Sequence, residues 1–244
     1  MKKLLVMLLG GMALAAAAGE REDLLKTFEK ENIAAAKILQ EAMTTVEMTG
    51  AAGNLWAVAE NQLYQALDYK LRQCKDRRKR QKLLKDFHTM SREVQKIFDT
   101  PREFRGSIIG MQIYHRIALV MEREIDILLL DENEEKRWNR IAEADLKIGS
   151  RKLKLKRGRA DFSAMMYGES TKLEIMIYPK DIFACSGRVF VVVKADIPFA
   201  GNSDFLSIYL CELKNGSLSE VKKCKNEEEL KKAIEELERT ACRD

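Results

Sequence analysis

The feature that most constrains this chain is a change in hydrophobic period near residue 146. Before it, apolar residues recur at steps of three and four, the spacing of an amphipathic helix. After it they alternate, the spacing of a half-buried strand. Two patterns in separate blocks give an α+β reading. An N-terminal antiparallel helical bundle is followed by a small antiparallel β-meander with a C-terminal helix.

In the helical block, Leu25, Phe28, Ala35, Ala36, Leu39 and Met43 form the first stripe. It is expected to run out at Thr49-Gly50, and Asn54 is expected to cap a second helix that buries Leu55, Ala59, Leu63 and Leu71. A third helix uses Leu84, Phe87, Val94 and Ile97, and ends at Thr100-Pro101 because proline drives its predecessor out of helical conformation. The fourth has the cleanest stripe: Phe104, Ile108, Met111, Tyr114, Ala118, Met121, Ile125 and Leu128. A short charged helix covers about Asp131 to Asp145.

In the second block, Leu153 and Leu155 alternate with lysines, as do Leu173, Ile175 and Ile177 with Lys172, Glu174 and Met176. Arg188 to Ala195 holds four valines, a strong strand signal. Phe205 to Leu213 and Ser217 to Cys224 flank Asn215-Gly216, the dipeptide that a two-residue type I′ hairpin requires. Asn226 followed by Glu229 opens a last helix with Leu230, Ala233, Ile234 and Leu237 on one face.

The first eighteen residues form a third zone. Lys2 and Lys3 precede an uncharged run from Leu4 to Leu14, and Ala15 to Gly19 offers small residues where a signal peptidase cuts. The run is shorter than the roughly 20 residues of a membrane span, so cleavage near Ala18 is expected, with no transmembrane span afterwards. The domains are then a signal peptide at 1–18, a helical domain at 19–145 and an α+β domain at 146–244. The product is expected in the periplasm or outside the cell. Loss of Lys2 and Lys3 lowers the formal charge from +5 to +3, too little to argue for nucleic acid, which export also disfavours.

An oxidising compartment allows disulfides, and four of the five cysteines fall in the last quarter: Cys185, Cys211, Cys224 and Cys242, with Cys74 apart. If Asn215-Gly216 is the turn, Cys211 faces Glu220 and Cys224 faces Ser207. The two sulfurs then share a sheet face about 13 Å apart along the ladder at ~3.3 Å per residue. A disulfide needs Cα atoms within ~7 Å, so Cys211–Cys224 is disfavoured and two of the three connectivities remain. The other face, with Leu206, Ile208, Leu210 and Val221, is the expected core.

No residue pattern points to catalysis, and no cofactor or metal is expected. The two histidines, His88 and His115, have no ligand partner at metal-binding spacing, and His115 is read as lying with Arg116 on a polar helix side. Trp56 and Trp138 are read as packing residues. Two basic runs stand out, Lys75 to Lys85 around Arg77, Arg78, Lys79 and Arg80, and Arg151 to Arg159. Either offers a surface for anionic lipid or cell-wall polymer. The second also reads as a lysine-protected edge strand.

Residues 42 to 130 resemble the lysozyme inhibitor LprI N-terminal-like family of secreted helical domains. Thr44-Thr45-Val46-Glu47-Met48 is similar to the family's opening. Asn61, Tyr64 and Leu67 keep an N-x-x-Y-x-x-L core, and Gly106-Ser107 with a helix reaching Arg123 resembles the closing segment. The chain has neither the family's Q-x-x-W segment nor its cysteines, whose places fall near Gly50, Asp99 and Arg116. The resemblance implies a non-enzymatic helical domain of the envelope, in a family of which a few members bind lysozyme. A protein partner such as lysozyme, or anionic envelope material, is the expectation for this chain.

Overall fold

A computed structural model describes residues 2–99, 107–166, 169–196 and 207–241. The architecture is α+β, and the chain divides into two compact units, Met1–Leu129 and Leu130–Asp244. The boundary therefore precedes the charged helix expected to close the helical domain. That helix belongs with the sheet, since it packs on a strand and buries Trp138, Ile141 and Ala142.

The first unit contains α1 (Lys2–Glu41), α2 (Thr45–Gln73), α3 (Arg77–Phe98) and α4 (Ser107–Leu128). Helix α1 runs without a break from the apolar leader into the charged segment. The next boundary differs from the sequence reading: α2 begins at Thr45 and passes straight through Gly50, Gly53 and Asn54. A capping box decides this. Thr44 Oγ1 accepts from the Glu47 amide at 3.2 Å, while Glu47 Oε2 accepts from the Thr44 amide at 2.9 Å. Two otherwise orphaned donors are satisfied, which offsets the cost of two glycines in a helix interior, about 1 kcal/mol each.

Helix α4 lies at the centre of this unit. Ile113, Ile117, Met121, Ile125 and Leu128 pack with Ala59, Leu63 and Ala66 of α2, with Phe28 of α1 and with Met90 of α3. Small residues on α2 let the two long helices approach closely. Gln62, 1% exposed, fixes α1 against α2 by donating from Nε2 to Glu31 Oε2 at 2.9 Å and Asn32 Oδ1 at 3.0 Å. Arg21 Nε donates to the Leu129 carbonyl at 2.5 Å, satisfying an acceptor just beyond α4. Thr100-Pro101 and Phe104 lie outside the described residues.

The second unit opens with α5 (Glu132–Ala142). Its cap is a second reciprocal box, with Asp131 Oδ1 2.8 Å from the Glu134 amide and Glu134 Oε2 2.8 Å from the Asp131 amide. Seven strands follow among the described residues: β1 (Asp145–Ile148), β2 (Arg151–Lys154), β3 (Arg159–Met166), β4 (Glu169–Cys185), β5 (Arg188–Asp196), β6 (Ser207–Lys214) and β7 (Ser217–Cys224), then α6 (Glu227–Ala241). They form one sheet in the order β2-β1-β7-β6-β5-β4-β3.

The expectation of a purely antiparallel meander is corrected here. Strands β3 to β7 do pair consecutively and antiparallel, but β1 pairs with β7 in parallel, so the sheet is mixed. The parallel pair lets the two ends of the sheet meet, because β2 and β3 are joined by four residues. Arg151 Nη1 of β2 donates to the Ser163 carbonyl of β3 at 2.9 Å, and its guanidinium sits 4.9 Å from the Phe162 ring centre. Lys156 bridges Arg159 across the turn. The sheet is nearly a closed barrel, a shape that leaves few free edge groups.

Each face of the sheet has a core. On one, α6 covers Phe190, Val192, Ile208, Leu210 and Cys224. On the other, Leu146, Leu155, Ile175, Ile177, Val191, Val193, Cys211 and Leu218 are all fully buried.

The hairpin forms at Asn215 and Gly216, both at positive φ (50° and 76°) as a type I′ turn requires. Cys211 faces Glu220 as expected, but a bulge then shifts the register and sets Cys224 opposite Ile208 instead of Ser207. Ile208 and Leu210 lie in the core as expected, but the extra residue carries Cys224 into that α6-side core and leaves Val221 45% exposed, the reverse of what was expected for these two. Leu206 lies outside the described residues.

Candidate functional site

Among the described residues no two cysteines are joined. Cys74, Cys185, Cys211 and Cys224 are free thiols, and Cys242 lies outside the described residues. The bulge places Cys211 and Cys224 on opposite faces, which removes any route to joining them. Burial pushes the Cys211 thiol up to about 12, with the nearby Glu220 carboxylate adding to it, and burial also raises Cys224. Both behave as small core hydrophobes. Cys185 Sγ instead rests 4.0 Å from the Leu237 carbonyl of α6.

The residues of the family-like motif are not brought together. Asn61 and Tyr64 face outward from α2, whereas Leu67 and Arg123 are buried. Ser107 is the first residue of α4, and Gly106 lies outside the described residues. Arg77, Arg78, Lys79 and Arg80 occupy the first turn of α3, all exposed. They begin a helix because Asp76 caps it, accepting from the Arg78 and Lys79 amides at 2.7 and 3.4 Å. Four cations at a helix start oppose the positive end of its dipole, and no acid pairs with any of them among the described residues. His115 is half-buried and Arg116 buried, in contrast to the expected polar side. Burial, with the Arg116 charge, holds the His115 imidazole below its ordinary range.

Two polar centres in the second unit are structural in character. Strand β4 bulges at residues 178–181, where Lys194 Nζ lies 3.4 Å from Asp181 Oδ2 and 3.6 Å from Glu227 Oε1 at the start of α6. Burial raises the Asp181 carboxyl, and Lys194 opposes that shift. The Lys194 ammonium also sits 5.7 Å from the Tyr178 ring centre. This arrangement ties the helix start to the sheet. Near the hairpin, Glu212 accepts from Arg188 Nε and Nη2, both at 2.6 Å. No group of three or more His, Cys, Asp or Glu among the described residues can hold a metal ion.

The feature that invites a ligand is a groove in the first unit, where α2 and α3 part over Met121 of α4 and leave about 280 Å³. Trp56, Glu60 and Tyr64 line one wall at steps of four, and Phe87, Ser91, Gln95 and Phe98 line the other. Trp56 and Phe98 close one end with ring centres 6.0 Å apart, and Tyr64 and Phe87 close the other at 6.1 Å. The ends are about 12 Å apart along α2, eight residues at ~1.5 Å each. Tyr64 is 57% and Phe98 36% exposed, although large aromatics ordinarily bury most of their surface.

Two residues of the lining, Trp56 and Glu60, carry polar groups without partners. The Trp56 ring stacks on Tyr114 at 5.5 Å, yet its Nε1–H is buried with no acceptor. Glu60 is half-buried, and no donor among the described residues meets its carboxylate. The Gln95 amide nitrogen donates to Asp99 at 2.8 Å, which leaves its oxygen as a further acceptor.

The sequence reading missed this site by taking Trp56 and Phe87 as packing residues. The signal was present in the step of four through Trp56, Glu60 and Tyr64, a half-aromatic stripe interrupted by a carboxylate. Comparison with protein-family models, curated proteins and solved structures finds no match for this chain.

Proposed function

We propose that this chain is an exported, non-catalytic binding protein of the bacterial envelope, periplasmic or secreted, that engages a protein partner through the α2–α3 groove. Its specific form in this reading is lysozyme-inhibitor-like. The finer architecture belongs to the same proposal: a helical binding bundle, then a nearly closed mixed sheet with a terminal helix. The observation that carries it is the groove itself, with two exposed aromatic rings and a half-buried carboxylate lacking a partner. Unmet hydrogen-bonding groups beside exposed aromatics are what a partner's polar and apolar atoms satisfy together. The charged leader start and apolar run support export. No helix among the described residues is long and apolar enough to cross a membrane.

The test is a lysozyme turnover assay with the purified protein. Inhibition that is lost in Tyr64→Ala supports the reading, and unchanged turnover at large molar excess removes the inhibitor form of it. A second reading rests on Arg77, Arg78, Lys79 and Arg80, unpaired on the first turn of α3: an envelope surface protein that binds anionic lipid or cell-wall polymer. Co-sedimentation with anionic vesicles should then weaken steeply with salt, and salt-insensitive binding excludes it.

A further inference from the structure

We propose that the α2–α3 groove recognises a basic side chain, lysine or arginine, presented by a polypeptide partner. This rests on the groove being the binding face, and it names what the groove selects. Glu60 stands at the middle of the groove, one helical turn from Trp56 and one from Tyr64. A half-buried carboxylate without a cation loses hydration and gains nothing in return. A guest ammonium or guanidinium restores that balance through a charge-assisted hydrogen bond. The surrounding rings favour the same guest, because the faces of Trp, Tyr and Phe attract cations and pack against an alkyl stem.

Glu60 lies between the two aromatic ends of the groove, so a side chain that enters meets ring faces along its stem and the carboxylate at its tip. Lys85, Arg92 and Lys96 of α3 are exposed and do not line the groove, so the wall presents acceptors rather than competing charge.

The full chain should be titrated with N-acetyl-lysine amide, following Trp56 emission. The controls are N-acetyl-norleucine amide, which has a similar stem without the charge, and choline, whose quaternary nitrogen has the charge but no N–H to donate to Glu60. The expected result is a saturable change with the lysine amide, at least tenfold weaker for norleucine and choline, and reduced by added salt. Glu60→Gln should weaken lysine binding about tenfold, with Glu60→Asp retaining part of it. Its melting temperature should not fall, since Glu60 has no partner to lose. Equal binding of norleucine and lysine, or an unaffected Glu60→Gln, overturns the cation selectivity while leaving the groove as a binding face. Preference for choline overturns the hydrogen bond to Glu60 and with it the basic side chain as guest. No saturable response to any of the three, together with unaltered lysozyme turnover, overturns this inference and the groove reading beneath it.

Discussion

Replacing Glu212 by glutamine removes one charge from the second unit while keeping the side chain's shape. Only 6% of the Glu212 side chain is exposed, and Arg188 Nη2 and Lys214 Nζ lie 2.6 and 2.9 Å from its Oε2. The Arg188 hydrogen bond is the largest cause that lowers this carboxyl from 4.5 to about 2, against the opposing effect of burial. At 1.36 kcal/mol per unit, that difference corresponds to about 3 kcal/mol of stability at neutral pH. Arg188 and Lys214 are themselves 51% and 64% exposed, so solvent screening brings the figure to about 1–2 kcal/mol. A folded-state pKa below the unfolded one means that this stability is present above about 4.5 and is lost as pH falls towards 2. Glu212→Gln should lower the melting temperature by about 4–8 °C at pH 7. The gap to the parent should narrow steadily below about pH 4.5. Trp138, buried in this unit at 5% exposure, reports the transition once Trp56 is replaced by phenylalanine in both proteins. A gap of the same size at pH 7 and pH 3, or none at pH 7, refutes the reasoning.

Thr44→Ala should destabilise the helical unit by about 1 kcal/mol through loss of its cap, read in thermal melts followed by circular dichroism. Native Cys211 and Cys224 should resist a thiol reagent that labels them at once in denaturant, and a reductant should leave the melting temperature unchanged. A drop on reduction would show that a disulfide supports the fold. His115 should titrate by NMR below the ordinary imidazole value of 6.5. Because its folded pKa is depressed, protonation on acidification works against the fold, and a titration at or above 6.5 would contradict its burial.

Local chemistry was readable in the sequence where one short motif decides the structure. Asn215-Gly216 makes its turn, and Asn226 caps α6 by accepting from the Glu229 amide at 2.9 Å. The same logic applied to Thr44 and Glu47 places the start of α2, whereas Gly50 and Gly53 taken alone suggest a break that the capping box overrides. The β7 bulge leaves no mark in alternation, because Val221 is apolar and suits either face. The parallel place of β1 beside β7 depends on a pairing across about seventy residues, which no local pattern encodes. The groove was hidden for a related reason. A helical stripe states which face is apolar, not where two neighbouring helices separate and leave Trp56 and Tyr64 uncovered.

The extra residue in β7 reaches beyond the two cysteines. In a regular strand Leu218 and Cys224 would point the same way, six residues apart. With one residue inserted between them, Leu218 serves the layer shared with Cys211, and Cys224 serves the layer under α6. A single strand thus rivets two hydrophobic layers together. Trimming α6 would strip one half of β7, and trimming α5 with β1 would strip the other. The second unit therefore has no smaller version of itself that keeps every apolar side chain covered, and fragments cut on either side of the rivet should be insoluble rather than half-folded.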